Sequence, residues 1–149
     1  MVGIKGAGMT ALCELLTHHG LLITGSDTEE VFYTDTILAK YGIVPQVGFT
    51  DEHIASDVDL VIHSTAYNRE QNRELLVALE RGVPVMSYPE AIGMLTCEWQ
   101  TLAVCGTHGK TTTSALLAHT LKTIGEDPSA IIGSKIASWG GRALLGKGR

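Results

Sequence analysis

A glycine-rich segment in the second half of the chain combines residue types that bind phosphate groups. It reads Gly106-Thr107-His108-Gly109-Lys110-Thr111-Thr112. Glycines let backbone N–H groups close around phosphate oxygens, and the start of a helix adds partial positive charge. In such a loop the Lys110 ammonium reaches the terminal phosphates of a nucleotide, and the Thr111 hydroxyl binds Mg²⁺. We therefore expect residues 106–112 to hold a nucleoside triphosphate, with Lys110 and Thr111 as catalytic groups and Thr111 as the metal ligand.

This loop is shorter than the general P-loop. Only Thr107 and His108 separate its two glycines, and Val104 stands where the general pattern has its first glycine. A tight turn that merely caps a helix is the structural alternative. Two glycines, a lysine and four threonines coincide between an expected strand, Thr101 to Cys105, and an expected helix, Ser114 to Ile124. That coincidence favours a phosphate loop.

A second glycine-rich segment, Gly3-Ile4-Lys5-Gly6-Ala7-Gly8-Met9, leads into an expected helix, Thr10 to His18. It resembles a dinucleotide-binding turn, although Lys5 occupies a position where that fingerprint has glycine. About 20 residues further on, Gly25-Ser26-Asp27 offers an acidic residue that can accept hydrogen bonds from a ribose. A third segment, His63-Ser64-Thr65-Ala66, ends another expected strand. A plain turn between a strand and a helix would explain residues 3–9 nearly as well. A solvated loop would likewise explain residues 63–66.

The elements that must position these segments alternate along the chain. Short apolar runs predict strands at 21–24, 44–47, 59–64, 83–86 and 102–105, the second at a sheet edge because of its proline. Helical patterns between them end at Gly20, Gly42 and Gly82, each at the position that follows a last turn. Such alternation predicts an α/β fold with a parallel, Rossmann-like sheet and ligand sites at the carboxyl ends of the strands.

Charge divides the chain near residue 97. Residues 1–97 carry five basic and thirteen acidic side chains, whereas residues 98–149 carry six basic and three acidic ones. We expect a Rossmann-like domain at 1–97 and the beginning of an ATP-binding domain at 98–149. The acidic first part argues against nucleic acid or an anionic membrane as partner. No apolar window approaches a membrane span, and three unpaired cysteines suit a reducing compartment, so we expect a cytoplasmic protein.

The motifs together resemble the Mur ligases, the ATP-dependent amide-forming enzymes of peptidoglycan precursor synthesis. Residues 106–113 are similar to the family's ATP loop, and residues 3–9 to the N-terminal loop of the branch that acts on UDP-N-acetylmuramate. The resemblance implies a UDP-binding N-terminal domain followed by the truncated start of a P-loop central domain. It also implies ATP and Mg²⁺ as cofactors, and the remainder of a ligase chain as partner.

Carried over by position, the resemblance assigns the substrate-binding residues. Gly6, Ala7, Gly8 and Met9 would face the UDP diphosphate, Ser26 and Asp27 the ribose or uracil, and Ser64, Thr65 and Ala66 the diphosphate or sugar. ATP would phosphorylate the muramate carboxylate, and the amine of L-alanine would attack the acyl phosphate. A chain ending at Arg149 would precede a Mg²⁺-binding glutamate and the amino-acid domain, so we expect it not to catalyse ligation by itself.

Three other functions remain open from the sequence. A murein tripeptide ligase would share these loops but accept a peptide as the incoming amine. A non-catalytic UDP-sugar-binding module would carry a vestigial ATP loop. An NAD-dependent oxidoreductase is disfavoured by Lys5 and by the second phosphate loop.

Overall fold

The computed structural model describes residues 1–147, so the last two residues of the predicted second domain lie outside it. Helices and strands alternate in the first two thirds of the chain, and a hairpin follows the last helix. The helices are α1 (Ala7–His18), α2 (Asp35–Lys40), α3 (Arg73–Glu80), α4 (Tyr88–Glu98) and α5 (Lys110–Thr123). The strands are β1 (Ser26–Asp27), β2 (Gln46–Val47), β3 (Val61–His63), β4 (Val85–Ser87), β5 (Ala130–Ile136) and β6 (Gly141–Leu144).

The first four strands form a parallel sheet whose two halves meet at Val2. β1 pairs with β2, β3 pairs with β4, and both pairings are parallel. Val2 bridges Ser26 on one side and His63 on the other. The order across the sheet is therefore β2, β1, Val2, β3, β4, as in a doubly wound fold. The predicted α/β class with a parallel sheet is confirmed.

Apolar side chains cover both faces of this sheet. Leu12 and Met9 of α1 pack with Ile62 of β3 and Ala91 of α4. On the other face Leu75 and the rest of the inner face of α3 pack against Val2 and Val61. Burial on both sides of a parallel sheet holds its carboxyl edge in a fixed position.

The helices end and begin where the sequence provides caps. Gly20, Gly42 and Gly82 follow α1, α2 and α3 with φ values of 86°, 71° and 72°, which confirms them as the residues after the last turn. Helix α4 begins with a capping box between Ser87 and Glu90, a helix that the sequence reading did not predict.

The last part of the chain folds back onto the first helix. β5 and β6 form an antiparallel hairpin. Strand β6 packs on α1, and β5 packs on α5 as well as α1. The hairpin was not predicted from the sequence, and it contacts both helices that follow the glycine-rich loops.

Several predicted strands were shifted or wrong. Residues 21–24 are not a strand, because the ladder with Val2 and β2 begins only at Ser26. Residues 102–105 form no strand among the described residues, and Leu102 is 68% exposed. Cys105, at the end of this expected strand, is exposed. Helix α5 begins at Lys110 rather than at Ser114.

Within residues 1–147, no helix has the length and apolar character needed to cross a membrane.

Candidate functional site

Three of the predicted binding segments meet at the carboxyl edge of the parallel sheet, around Gly3. The Gly3 N–H donates to the carbonyl of Ser26 at 2.9 Å. A Cβ on Gly3 would lie 2.5 Å from Tyr67 Cε2 and 2.9 Å from Ser64 Cβ. Gly3 also has φ of 79°, where a side chain is strained. The fold therefore brings the turns after Val2, β1 and β3 together and requires glycine at their junction.

The turn after Val2 ends at the N-terminus of α1. Gly6 is the N-cap and has no side chain with which to cap the helix. The N–H groups of Ala7, Gly8 and Met9 belong to the first turn and have no carbonyl acceptor within the helix. The Gly6 N–H already donates to the Gly3 carbonyl at 3.2 Å. Backbone donors for an oxyanion are thus provided by residues 7–9, and the Met9 side chain lies in the core.

Asp27 at the end of β1 is buried and holds the N-terminal turn in place. Its carboxylate accepts the Lys5 N–H at 2.7 Å, the Thr28 N–H at 2.8 Å and the Tyr67 hydroxyl at 3.2 Å. Burial and the neighbouring Asp27 carboxylate raise the pKa of Tyr67 to about 12, so the phenol remains a donor at neutral pH. Three internal donors leave this carboxylate little capacity for a ribose hydroxyl. Its geometry fits a residue that positions the loop.

The Lys5 side chain extends away from the helix N-terminus. Its ammonium donates to the carbonyls of Thr28 at 2.9 Å and Glu30 at 2.8 Å and lies 3.4 Å from the Asp35 carboxylate. The Thr34 hydroxyl in turn donates to the Lys5 carbonyl at 2.7 Å. Lys5 therefore fixes the loop that follows β1 and is not a free cation for a phosphate.

Ser26 belongs to a buried polar network that the sequence reading missed. Its hydroxyl donates to Glu74 Oε2 at 2.5 Å, and Glu74 Oε1 lies 2.6 Å from His53 Nδ1. Ser26 and Glu74 are 2% and 1% exposed. Asn72 caps α3 by accepting from the Glu74 and Leu75 N–H groups. The cap orients Glu74 toward Ser26, so the network ties α3 to the end of β1.

The turn after β3 presents two exposed residues, Thr65 and Ala66, beside the half-buried Ser64. The Ser64 hydroxyl accepts the Ala66 N–H at 3.3 Å. Arg69 Nε donates to His63 Nε2 at 3.1 Å, so that nitrogen carries no proton. His63 Nδ1 therefore carries the proton and donates to the Ser64 carbonyl at 2.9 Å. The hydrogen bond from His63 orients the Ser64 peptide.

Tyr88, at the start of α4, closes the site on its other side. A Cβ on Gly8 would lie 3.0 Å from Tyr88 Cζ, so the Tyr88 ring packs closely against the first turn of α1. Burial raises the pKa of Tyr88. The Ser87-Tyr88-Pro89-Glu90 sequence, a serine followed three residues later by glutamate with proline in between, is the signal that could have located this helix start.

The second glycine-rich loop lies at the N-terminus of α5 and is exposed. Gly109 is the N-cap with φ of 77°, in the left-handed region where glycine is favoured. The Lys110 ammonium folds back over the loop and donates to the carbonyls of Gly106 at 2.6 Å and Thr107 at 3.2 Å. Thr111 is half-buried, whereas Thr107, His108 and Thr112 are exposed.

The donor set of this loop suits a nucleotide phosphate. It offers one ammonium, threonine hydroxyls and the free N–H groups of a helix start. Among the described residues, no group of three or more His, Cys, Asp or Glu side chains could hold a metal ion. Mg²⁺ commonly binds substrate phosphates with few protein ligands, so the Thr111 hydroxyl fits a metal that arrives with the nucleotide.

The segments that form this site lie within the part of the chain that is similar to known proteins. The family described as "Mur ligase family, catalytic domain" matches residues 1–100, which include the three segments at the sheet edge. UDP-N-acetylmuramate–L-alanine ligase of Treponema pallidum (strain Nichols) is 45% identical over 137 residues, covering 92% of this chain and 28% of that protein. The enzyme of the same name from Desulfitobacterium hafniense is 43% identical over 148 residues, covering 99% of this chain and 32% of that protein.

Solved structures extend the likeness to the fold. The UDP-N-acetylmuramate-alanine ligase of Thermotoga maritima superimposes with a TM-score of 0.84 at 33% identity, over 99% of this chain and 34% of that one. The UDP-N-acetylmuramate:L-alanyl-γ-D-glutamyl-meso-diaminopimelate ligase of Neisseria meningitides gives 0.83 at 28% identity, over 97% and 45%. The chain spans about a third of the length of the curated relatives it matches. On the match over residues 1–100 and on this fold, the chain belongs to the Mur ligase family.

Proposed function

We propose that this chain is the part of a peptidoglycan-precursor ligase that binds UDP-N-acetylmuramate and ATP with Mg²⁺. The observation that carries the proposal is the presence of two glycine-capped helix starts, at Gly6 and Gly109, on one chain. One is enclosed by the turns after β1 and β3, as a substrate site requires. The other carries the lysine and threonines of a phosphate loop. The named relatives favour L-alanine as the incoming amine.

The proposed division of labour follows the two loops. The N–H groups of Ala7, Gly8 and Met9 bind the diphosphate, with Gly6 as the cap that leaves them free. Ser64, Thr65 and Ala66 line the sugar side, while Ser26 and Asp27 hold the surrounding turns in place. We retain a domain boundary after residue 97, next to the end of α4 at Glu98.

In the second loop, Lys110 and Thr111 are the proposed catalytic residues. ATP, when bound with Mg²⁺, supplies the phosphoryl group that activates the muramate carboxylate. The Lys110 ammonium would leave the carbonyls of Gly106 and Thr107 and stabilise charge on the terminal phosphates. The backbone from Gly106 to Gly109 and the N–H groups of Thr111 and Thr112 would surround the phosphate chain.

Titration calorimetry with Mg-ATP and with UDP-N-acetylmuramate tests the proposal. Lys110→Ala should weaken ATP binding by roughly 10- to 100-fold, the scale of a lost hydrogen bond to a charged group. It should leave UDP-N-acetylmuramate binding unchanged, because Lys110 lies in the other loop. Lys122→Ala, on the exposed last turn of α5, is the matched control and should bind ATP normally. If neither ligand binds the unaltered chain, the proposal is wrong.

The same titrations separate the remaining functions. A chain that binds UDP-N-acetylmuramate but not ATP would be a binding module. The tripeptide ligase is the second candidate, because murein peptide ligases share this fold with TM-scores of 0.83. Adding L-alanine or a tripeptide to the parent enzyme, with phosphate release as the readout, distinguishes those two.

A further inference from the structure

Arg142, on strand β6, lies in the hairpin that packs on α1. Its guanidinium carbon is 5.8 Å from the centroid of the Tyr33 ring, in the loop that follows β1. Arg142 Nη1 donates to the carbonyl of Gly133 at 2.8 Å. The side chain therefore contacts the first part of the chain through Tyr33 and the second part through Gly133.

The Arg142 guanidinium has donors without acceptors. Its Nε is buried and has no hydrogen-bond partner within the described part of the chain. Across residues 1–147 it also has no carboxylate within 4.0 Å, the limit that defines the ion pairs of this structure. Leaving a buried donor unpaired is unfavourable, and more so for a charged group. Within residues 1–147 the Nη2 group donates no hydrogen bond either, and it is not among the buried atoms, so it can reach an acceptor from outside the chain.

The two residues that Arg142 contacts lie near the two glycine-rich loops, residues 3–9 and residues 106–112. Tyr33 precedes Thr34, whose hydroxyl donates to the Lys5 carbonyl next to the start of α1. On the other side, a Cβ on Gly133 would lie 4.0 Å from the Thr111 hydroxyl of the second loop. Arg142 therefore contacts one residue that neighbours a partner of Lys5 and one residue that lies beside Thr111.

The other cations near the sheet edge are already engaged. The Lys5 ammonium binds two carbonyls and lies beside Asp35. Arg69 binds His63 and forms an ion pair with Glu90. A UDP-linked substrate carries at least two negative charges, and backbone N–H groups alone supply no full positive charge to balance them.

We propose that Arg142 binds an anionic group of the UDP-linked substrate, a diphosphate or carboxylate oxygen, across the junction of the two loops. This inference rests on the proposed function. It adds Arg142, from the second part of the chain, to a substrate site that the first part of the chain otherwise forms. A planar guanidinium stacked near an aromatic ring is already oriented for an oxyanion, since its fork can donate two parallel hydrogen bonds.

Calorimetry on Arg142→Gln tests the inference with three ligands: UDP, UDP-N-acetylmuramate and Mg-ATP. Binding of UDP-N-acetylmuramate should weaken at least 10-fold, while ATP binding should change less than 2-fold. An equal loss with UDP identifies the diphosphate as the group bound, and a loss confined to UDP-N-acetylmuramate identifies the carboxylate. Lys135→Gln removes the same charge from an exposed position on β5 and should leave all three affinities unchanged.

Two controls keep the test decisive. Thermal unfolding without ligand shows whether Arg142→Gln disturbs the hairpin, and Arg142→Met, which keeps the apolar stem, replaces it if so. Normal UDP-N-acetylmuramate binding by a folded Arg142 variant overturns the inference and leaves the proposed function intact. A loss of binding seen only with ATP has the same meaning. Failure of the unaltered chain to bind any UDP ligand overturns both.

Discussion

At the scale of single residues, the site depends on which groups the fold has already paired. Lys5 and Asp27 are charged residues of the predicted substrate loops, yet both are used internally. Within residues 1–147, the Lys110 ammonium donates only to carbonyls of its own loop, and Arg142 has a buried donor without an acceptor. The residues that remain able to bind a ligand are therefore distinguished by hydrogen bonding rather than by residue type.

Gly3 should be sensitive to substitution by a residue with a side chain. Gly3→Ala places a methyl group against Tyr67 and Ser64 in a left-handed backbone conformation, and should cost about 2–4 kcal/mol of unfolding free energy. Gly20→Ala is the matched control, with φ of 86° and open space around the position, and should cost only about 1 kcal/mol. Urea denaturation measures both. Equal costs would show that the contact with Tyr67 is unimportant.

The three thiols should separate into two classes. Burial raises the pKa of Cys13 from 9.0 to about 11, whereas Cys97 and Cys105 are exposed. Since the thiolate is the reactive form, a disulfide reagent at pH 8 should label two thiols quickly and the third only after unfolding. In Cys13→Ala, native and unfolded chains should give the same count of two. Rapid labelling of all three in the native chain would contradict the buried position.

At the scale of elements, the docking of the hairpin on α1 places Gly141 against the Glu14 carboxyl. A Cβ on Gly141 would lie 3.6 Å from both Glu14 carboxylate oxygens. The Tyr41 hydroxyl donates to Glu14 Oε1 at 3.4 Å. Burial outweighs this hydrogen bond and raises the pKa of Glu14. The charged form of Glu14 is therefore disfavoured in the folded state.

This shift gives a pH dependence of known sign. When folding raises the pKa of a carboxyl group, the group contributes to stability at pH values below its pKa in the unfolded state. That contribution is lost as the pH rises through the pKa of the folded state. Glu14→Gln should therefore be more stable than the unaltered chain at pH 7 and nearly equal to it at pH 4, in urea denaturation at both values. Glu80→Gln, at the exposed end of α3, should show no such difference. A Glu14 variant less stable at pH 7 would contradict the assignment.

The elements also show why some strands could not be predicted. An apolar run forms a strand only where a neighbour completes its hydrogen bonds. Residues 102–105 have the composition of a strand but no such neighbour among the described residues, and β1 begins only where Val2 and β2 flank it. Helix ends were predicted better, since a glycine after the last turn acts locally.

At the scale of the whole molecule, the arrangement of the loops predicts which ligands stabilise the chain. If the proposed function is right, UDP-N-acetylmuramate binds the folded state alone, and at 100 times its dissociation constant it should add about 2.7 kcal/mol to the unfolding free energy. The melting temperature should rise accordingly. NADH should produce no shift, because the Lys5 position departs from the dinucleotide fingerprint and Asp27 is engaged by internal donors. A larger shift with NADH than with UDP-N-acetylmuramate would favour an oxidoreductase.

The family follows from the sequence alone, which also predicted the chemistry of the two loops. Glycine spacing, the lysine and the threonines act through local backbone geometry, which neighbouring residues along the chain are sufficient to specify. The tertiary structure alone decided which side chains are free. Lys5 and Asp27 form hydrogen bonds with partners more than 20 residues away, and Arg142 reaches Tyr33 only because the hairpin folds back onto α1. Such pairings depend on distances between segments remote in sequence, which no local pattern encodes.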